Sequence, residues 1–216
     1  MSDSLAAVRD AIVEMREGEI TALVLACLDR GHSPIGVIEE AVAPGLGIVG
    51  RKFEDGDYFL ADLILAGEVV TQAMAILRDR MSPGENATKG KVVLATVRGD
   101  VHDIGKRVVG MMLAASGYEV IDLGIDVPAE KIVETARSTG ASLVGLSALL
   151  TTMVGGIREV VEGMTEAGLR GKVKIAIGGA CCSQSLADEM GVDAYGESAI
   201  AAVRIFDGFA AAVKKD

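Results

Sequence analysis

With 216 residues the chain can hold two compact domains, and because half of those residues are hydrophobic while only 3% are aromatic and none is Trp, the cores must be filled by Ala, Val, Ile, Leu and Met. That supply suits helices and buried parallel strands and argues against an antiparallel sandwich. With 31 Asp and Glu against 21 Lys and Arg, the net charge of −10 repels phosphate backbones and argues against nucleic acid as a partner.

The first residues, Met1-Ser2-Asp3-Ser4, lack the basic start and apolar run of a signal peptide. The apolar stretches read as broken by charge before they could span a bilayer, so a cytoplasmic protein with no membrane segment is expected. Cys27, Cys181 and Cys182 are odd in number and not spaced as metal-binding pairs, which leaves a disulfide framework or zinc site without support and fits a reducing compartment. From Leu5 to Met81 the pattern is helical. Leu5, Val8, Ile12 and Met15 recur at spacings of three and four, and Ile20, Leu23, Cys27 and Leu28 repeat the arrangement. A third helix is predicted from Pro34, capped by Ser33, past Gly50, and a fourth from about Tyr58 to Arg80. Short connections at Gly18, Arg30–Ser33 and Asp55–Asp57 make these antiparallel neighbours, a four-helix bundle over residues 1–81. Gly45-Leu46-Gly47-Ile48-Val49-Gly50 matches the dinucleotide-binding glycine string but follows a helical pattern rather than a strand, so it lacks the context for cradling phosphate.

Residues 82–90, rich in turn formers and charge, read as a linker. Beyond them, over residues 91–216, short β-branched runs alternate with helical stretches: Val92–Val97, Val120–Leu123, Leu143–Leu146, Val173–Ile177 and Val192–Tyr195. This predicts an α/β domain with a five-stranded parallel sheet of the flavodoxin-like, Rossmann-type class. In such a sheet ligands lie beyond the carboxyl ends of the strands. Three loops there stand out: Arg98-Gly99-Asp100-Val101-His102-Asp103-Ile104-Gly105-Lys106, Ser147-Ala148-Leu149-Leu150-Thr151, and Gly178-Gly179-Ala180. Asp100 is close enough to take a hydrogen bond from one ring nitrogen of His102 while the other faces outward as a ligand, which fixes the tautomer and strengthens the donor. Gly105 leaves room for a bulky ligand at a helix start. One His cannot build a protein zinc site, and His32 lies in the other domain, so a metal at His102 would arrive in its own macrocycle. Ser147 reads equally as a hydroxyl satisfying local backbone or as a ligand contact. Gly178-Gly179 reads as a tight turn or as backbone exposed to a buried ligand.

Together, the Asp100-x-His102-x-x-Gly105 loop, the Ser147-x-Leu149 strand end and the Gly178-Gly179 turn resemble the cobalamin-binding signature of methionine synthase and of the corrinoid proteins of methyltransferase systems. The helical segment is similar to the cap domain of that branch. The resemblance implies a cobalamin or related corrinoid held base-off, with its dimethylbenzimidazole tail buried in the α/β domain, His102 as the lower cobalt ligand and Asp100 as its hydrogen-bonding partner. It places Gly99, Val101, Asp103, Ile104, Ser147, Leu149, Thr151, Gly178 and Gly179 along the corrin or its tail, and Tyr195, Gly196 and Ala199 near the tail's far end. It also sets Glu39, Phe53 and Leu60 of the cap against the methyl face, although Phe53 and Leu60 read equally as bundle core. One departure is Met153, at the position where methionine synthase has a serine that extends the Asp/His pair into a relay; Thr151 or Thr152 could substitute.

By the same resemblance the chain carries a methyl group through Co(I) and methyl-Co(III). It takes the group from a substrate:corrinoid methyltransferase and passes it to an acceptor methyltransferase that uses tetrahydrofolate or a thiol. An ATP-dependent reductive activase rescues oxidised cofactor, and the cap moves aside for each partner. The methyl donor, whether methanol, a methylamine, glycine betaine or a methoxylated aromatic, is set by the partner. The rival readings are an adenosylcobalamin mutase small subunit, which lacks such a cap, a cobalamin-sensing regulator, which would need a DNA-binding element, and a cofactor-free flavodoxin-like module.

Overall fold

The computed structural model describes residues 3–81 and 88–213. The chain divides into two compact units, Met1–Ala87 and Thr88–Asp216. Most of the expected linker, residues 82–87, lies outside the described residues.

In the first unit, helices α1 (Asp3–Val13) and α2 (Glu17–Asp29) are followed by a composite third helix made of α3 (Pro34–Val37), a π-helical turn (Ile38–Val42) and α4 (Ala43–Glu54), and then by α5 (Leu60–Asp79). Ser33 caps the third helix, its hydroxyl accepting from Gly36 N at 3.0 Å. The sequence pattern predicts an uninterrupted helix here. The wider turn sits immediately before Pro44, which has no N–H to donate and whose ring would crowd the carbonyl four residues earlier in a regular helix. The glycine string lies within α4, where a Cβ on Gly45 would meet Arg9 O and Ile12 of α1 at 3.3 Å, so this glycine permits close helix packing. Contrary to the expectation from charge, α5 is long and apolar enough to cross a membrane by length and composition. Its apolar content is explained within the unit, because Leu63, Ala66, Val70, Ala73 and Leu77 form a buried stripe at helical spacing.

The second unit is a parallel sheet of β1 (Lys91–Thr96), β2 (Glu119–Asp122), β3 (Leu143–Ser147), β4 (Lys174–Gly178) and β5 (Ala194–Tyr195), in the order β2-β1-β3-β4-β5. This is the flavodoxin-like order, and β1 and β3 flank the point where the chain reverses its direction of winding. One face carries α6 (Ile104–Ala115) and α10 (Ala199–Val213), packed on Val92, Leu94, Leu143 and Ala176. The other carries α7 (Ala129–Thr139), α8 (Val154–Glu166) and α9 (Gln184–Met190), packed on Val93, Ala95, Val144, Leu146, Ile175 and Ile177. Strands buried on both faces account for their uninterrupted apolar runs. β5 is shorter than the pattern Val192–Tyr195 predicts because Gly191 ends α9 in the left-handed region and Val192 N is taken by Ala187 O at 3.1 Å.

Asp193, just before β5, ties the sheet edge together. Its carboxylate accepts from Lys174 Nζ at 2.8 Å and Ile175 N at 2.8 Å, and pairs with Arg170 at 2.9 Å. Burial alone would raise its pKa, but these donors outweigh burial and hold it below the ordinary carboxylate value. A depressed folded-state pKa stabilises above the unfolded value, about pH 4, and that stability is lost as pH falls through the folded value. Asp193→Asn is therefore expected to be less stable than wild type in urea near neutral pH, with the difference shrinking in acid. A difference independent of pH would show that the carboxylate's charge contributes nothing.

Candidate functional site

The β1–α6 loop turns at the carboxyl edge of the sheet. Gly99, at φ +83°, begins the turn, and a Cβ there would sit 2.9 Å from Met153 Sδ. Asp126, following β2, clamps the same loop: its carboxylate accepts from Gly99 N at 2.6 Å and its own N–H donates to Asp100 O at 2.9 Å. Thr96, fully buried at the end of β1, donates its hydroxyl to His102 O at 3.2 Å.

These restraints place Asp100, 1% exposed, beneath His102, whose side chain is 51% exposed. Asp100 Oδ1 accepts from His102 N at 2.9 Å and lies 2.7 Å from His102 Nδ1, while Oδ2 accepts from Leu149 N at 2.6 Å. Burial would raise the Asp100 pKa, but the two backbone N–H groups and the His102 ring together hold it below the ordinary carboxylate value. An ionised carboxylate only accepts, so Nδ1 carries the proton and the lone pair of neutral His102 is on Nε2. No hydroxyl reaches Asp100 among the described residues: Leu149 N takes the oxygen to which a relay hydroxyl would bond, Met153 packs on Gly99, and Thr151 and Thr152 are exposed. The pair ends at Asp100.

On the same sheet edge as His102 stand the four large apolar side chains that this unit exposes among its described residues: Val101, Ile104, Ile125 and Leu150. All four follow β1, β2 or β3 on the same sheet edge. Exposed apolar side chains sharing an edge with a histidine that has a free ring nitrogen form a floor for a flat, largely apolar ligand. Asp103, partly buried before α6, and the exposed Thr151 occupy the same edge.

A cleft of about 360 Å³ runs down the face that carries α6 and α10. Strand pairing aligns Leu94, Gly145 and Ala176 across its floor, and the missing side chain of Gly145 admits that of Leu94, whose Cδ2 would lie 2.5 Å from a Cβ there. Of the residues singled out in the sequence, Gly105, Ser147, Leu149, Gly178, Gly179, Tyr195, Gly196 and Ala199 line it. The Ser147 hydroxyl has no protein partner among the described residues, which favours its reading as a ligand contact. Gly179, at φ +116°, is a required glycine, because a Cβ there would lie 2.0 Å from Ala148 O. Gly145 is a lining residue outside the three loops, and a glycine inside a buried strand signals such close approach. Lys106, within the first of the three loops but without a role assigned from the sequence, is buried in the cleft wall and paired with Asp122, and Asp126 is a further site residue outside those loops.

Glu39, Phe53 and Leu60 belong to the helical unit. Glu39 is exposed on the π-helical turn, Phe53 is half-buried near the end of α4, and Leu60 is exposed at the start of α5 beside Phe59, itself 69% exposed. His32, also in this unit, lies 3.5 Å from the Ser4 hydroxyl.

A shaped cleft opening beside a histidine held in one tautomer fits a ligand with a planar metal-bearing part and a long tail. Comparison with known proteins agrees. Residues 90–204 match a B12 binding domain, and residues 5–78 match a second B12 binding domain family. The dimethylamine corrinoid protein of Methanosarcina barkeri is 41% identical over 196 residues, covering 90% of this chain and 91% of that protein. The structure of a cobalamin-binding protein from Desulfitobacterium hafniense DCB-2 superposes with a TM-score of 0.83 at 35% identity, covering 97% of this chain and 99% of that one. A chain of the methanol:cobalamin methyltransferase complex MtaBC from Methanosarcina barkeri gives a TM-score of 0.85 at 31% identity, covering 97% of this chain and 80% of that one. The chain belongs to the B12-binding family of corrinoid proteins.

Proposed function

We propose that this chain is a methyl carrier that holds its corrinoid base-off through His102 Nε2, takes the methyl group from one methyltransferase and delivers it to another. When bound, the corrinoid supplies a cobalt centre able to accept and release a methyl group. The observation that carries the reading is the Asp100–His102 pair, with its proton on Nδ1 and Nε2 directed away from the carboxylate, on one sheet edge with Val101, Ile104, Ile125 and Leu150. The cleft along α6 and α10 receives the cofactor's tail, with Ser147 and the exposed backbone of Gly178 and Gly179 as polar contacts. Asp100 orients the imidazole through its Nδ1 and would hold Nε2 toward the cofactor. In the helical unit, Glu39, Phe53 and Leu60 are assigned to the methyl-bearing side of the cofactor. The exposure of Phe59 and Leu60 and the π-helical turn at Glu39 support this assignment, because such turns re-aim side chains at functional sites.

Selection of the methyl donor is assigned to the partner enzyme. The relatives named for dimethylamine and the methyltransferase complex make an amine- or alcohol-specific methyltransferase the first partner to test. An acceptor methyltransferase using tetrahydrofolate or a thiol and an ATP-dependent reductive activase complete the proposed cycle, in the cytoplasm.

The test is electron paramagnetic resonance of the full chain reconstituted with hydroxocobalamin and reduced to cob(II)alamin. Wild type is expected to show nitrogen splitting from an imidazole, and His102→Ala to lose it while still retaining corrin in the cleft. Wild-type protein that retains no corrin overturns the carrier reading, whereas retained corrin with an unchanged mutant spectrum overturns only the assignment of His102.

A further inference from the structure

The turn after β4 holds two adjacent cysteines that the cofactor site does not use. Cys182 N donates to Gly179 O at 2.9 Å, closing the turn Gly179-Ala180-Cys181-Cys182. Both sulfurs lie against backbone oxygens: Cys181 Sγ is 3.3 Å from Ala148 O, and Cys182 Sγ is 3.2 Å from Gly178 O and 3.8 Å from Ala148 O. Each thiol has one proton, so the shorter contacts assign Cys181 to Ala148 and Cys182 to Gly178. The Ala148 carbonyl shares a peptide unit with Leu149 N–H, the group that donates to Asp100 Oδ2 at 2.6 Å. One peptide plane is therefore held by the thiol pair on one side and by the partner of His102 on the other.

We infer that Cys181 and Cys182 form a thiol–disulfide modification site for small disulfides, and that its state is transmitted through the Ala148–Leu149 peptide to Asp100. Cys181 is partly exposed and Cys182 is only 7% exposed, so the first attack comes from Cys181. Its thiolate attacks one sulfur of a small disulfide RSSR, forming Cys181–S–S–R and expelling RS⁻. Cys182 then loses its proton and attacks the Cys181 sulfur, expelling a second RS⁻ and closing the Cys181–Cys182 disulfide. Two electrons pass to RSSR, and the two cysteine protons end on the two released thiols. Burial and the neighbouring Cys181 push the Cys182 thiol up to about 12, which makes it the poorer nucleophile of the two and leaves the first attack to Cys181.

Closing the ring removes both S–H donors. Adjacent Cα atoms, about 3.8 Å apart, are nearer than disulfide-bonded residues usually are, so the turn must shift and the bond stays readily reducible. With its thiol donor gone, the Ala148 carbonyl is less polarised and the N–H on the same peptide becomes a weaker donor. The Leu149 to Asp100 bond lengthens in consequence. The effect on His102 rests on its reading as the cobalt ligand; the modification itself does not.

The test uses the full chain without cofactor, exposed to oxidised glutathione and followed by intact mass, peptide mapping and amide NMR. Wild type is expected to lose the mass of two hydrogens within the peptide containing Cys181 and Cys182, reversibly with dithiothreitol, and the Leu149 amide proton should move upfield. Cys182→Ser should instead accumulate the glutathione adduct on Cys181, and Cys181→Ser should remain unmodified at Cys182. An unreacted wild type, or one that stops at the adduct, overturns the modification site. Disulfide formation with an unmoved Leu149 amide overturns the coupling to Asp100. Because no corrinoid is present, neither outcome can be confused with failure of the carrier reading, which the reconstitution experiment tests separately.

Discussion

Gly179→Ala is expected to abolish corrinoid retention and to lower the stability of the α/β unit by about 3 kcal/mol or more, the sum of backbone strain and steric displacement. Two independent constraints act at this position. The φ of +116° lies where L-residues rarely go, and an added methyl would sit 2.0 Å from Ala148 O and 2.8 Å from Ala148 C. Neither atom belongs to a flexible side-chain end, so relief requires moving the end of β3 away from the turn after β4. That movement carries Leu149 with it and removes the donor at Asp100 Oδ2, damaging the cleft and the histidine support together. Gly105→Ala is the control. Gly105 also lines the cleft, but its φ is not in the left-handed region and a Cβ there meets nothing within 4 Å. It should fold as wild type does. Circular dichroism during thermal unfolding reads the first effect, and corrin absorbance after gel filtration reads the second. A Gly179→Ala protein that unfolds at the wild-type temperature and keeps its corrin would show that the β3 and β4 loops are not coupled as described.

Asp100→Asn tests the polar half of the site, with an expected loss of about 1–3 kcal/mol from one unpaired buried donor. The carboxylate accepts on both oxygens, from His102 N and Nδ1 on one and from Leu149 N on the other. An amide keeps only one accepting oxygen, so it can serve His102 or Leu149 but not both. If its oxygen faces His102, its NH₂ meets the Leu149 N–H; if it turns over, the NH₂ confronts the His102 donors. Asp100 is 1% exposed, so water cannot readily repair the mismatch. Nitrogen NMR of the imidazole should find a single Nδ1–H tautomer in neutral wild type and a mixture in the variant. Chemical denaturation should show the stability loss without unfolding of the helical unit. Unchanged tautomer and stability would mean that the carboxylate's charge and second oxygen do nothing for His102.

Much of this could be read before any coordinates. A sustained helical period marks the first half and short apolar runs between helical stretches mark the α/β half, and β-branched runs such as Val92–Val97 locate the strands because a strand buried on both faces tolerates little else. The Asp100-x-His102 spacing likewise states a local geometry, since two residues of one loop meet whatever surrounds them. Boundaries were less legible where two elements compete for a residue, as at Val192, used by the end of α9, or where an imino acid perturbs a helix, as at Pro44. Charge was a poor guide to α5, because whether an apolar helix serves a membrane or a core depends on what covers it.

By itself, then, the sequence determined the class of fold, the order of its elements and the pairing of Asp100 with His102, all of which follow from local periodicity and short-range spacing. The tertiary structure alone decided that Leu149, 49 residues from Asp100, donates to its second oxygen, and that Gly145 and Ala176 align beside Leu94 across the floor of a cleft. It alone placed Ile125 and Leu150 with Val101 and Ile104 on one edge, and set two thiols against the peptide that anchors Asp100. Each of these depends on strand order and register, which bring distant loops to a common sheet edge and leave no trace in the spacing of residues along the chain.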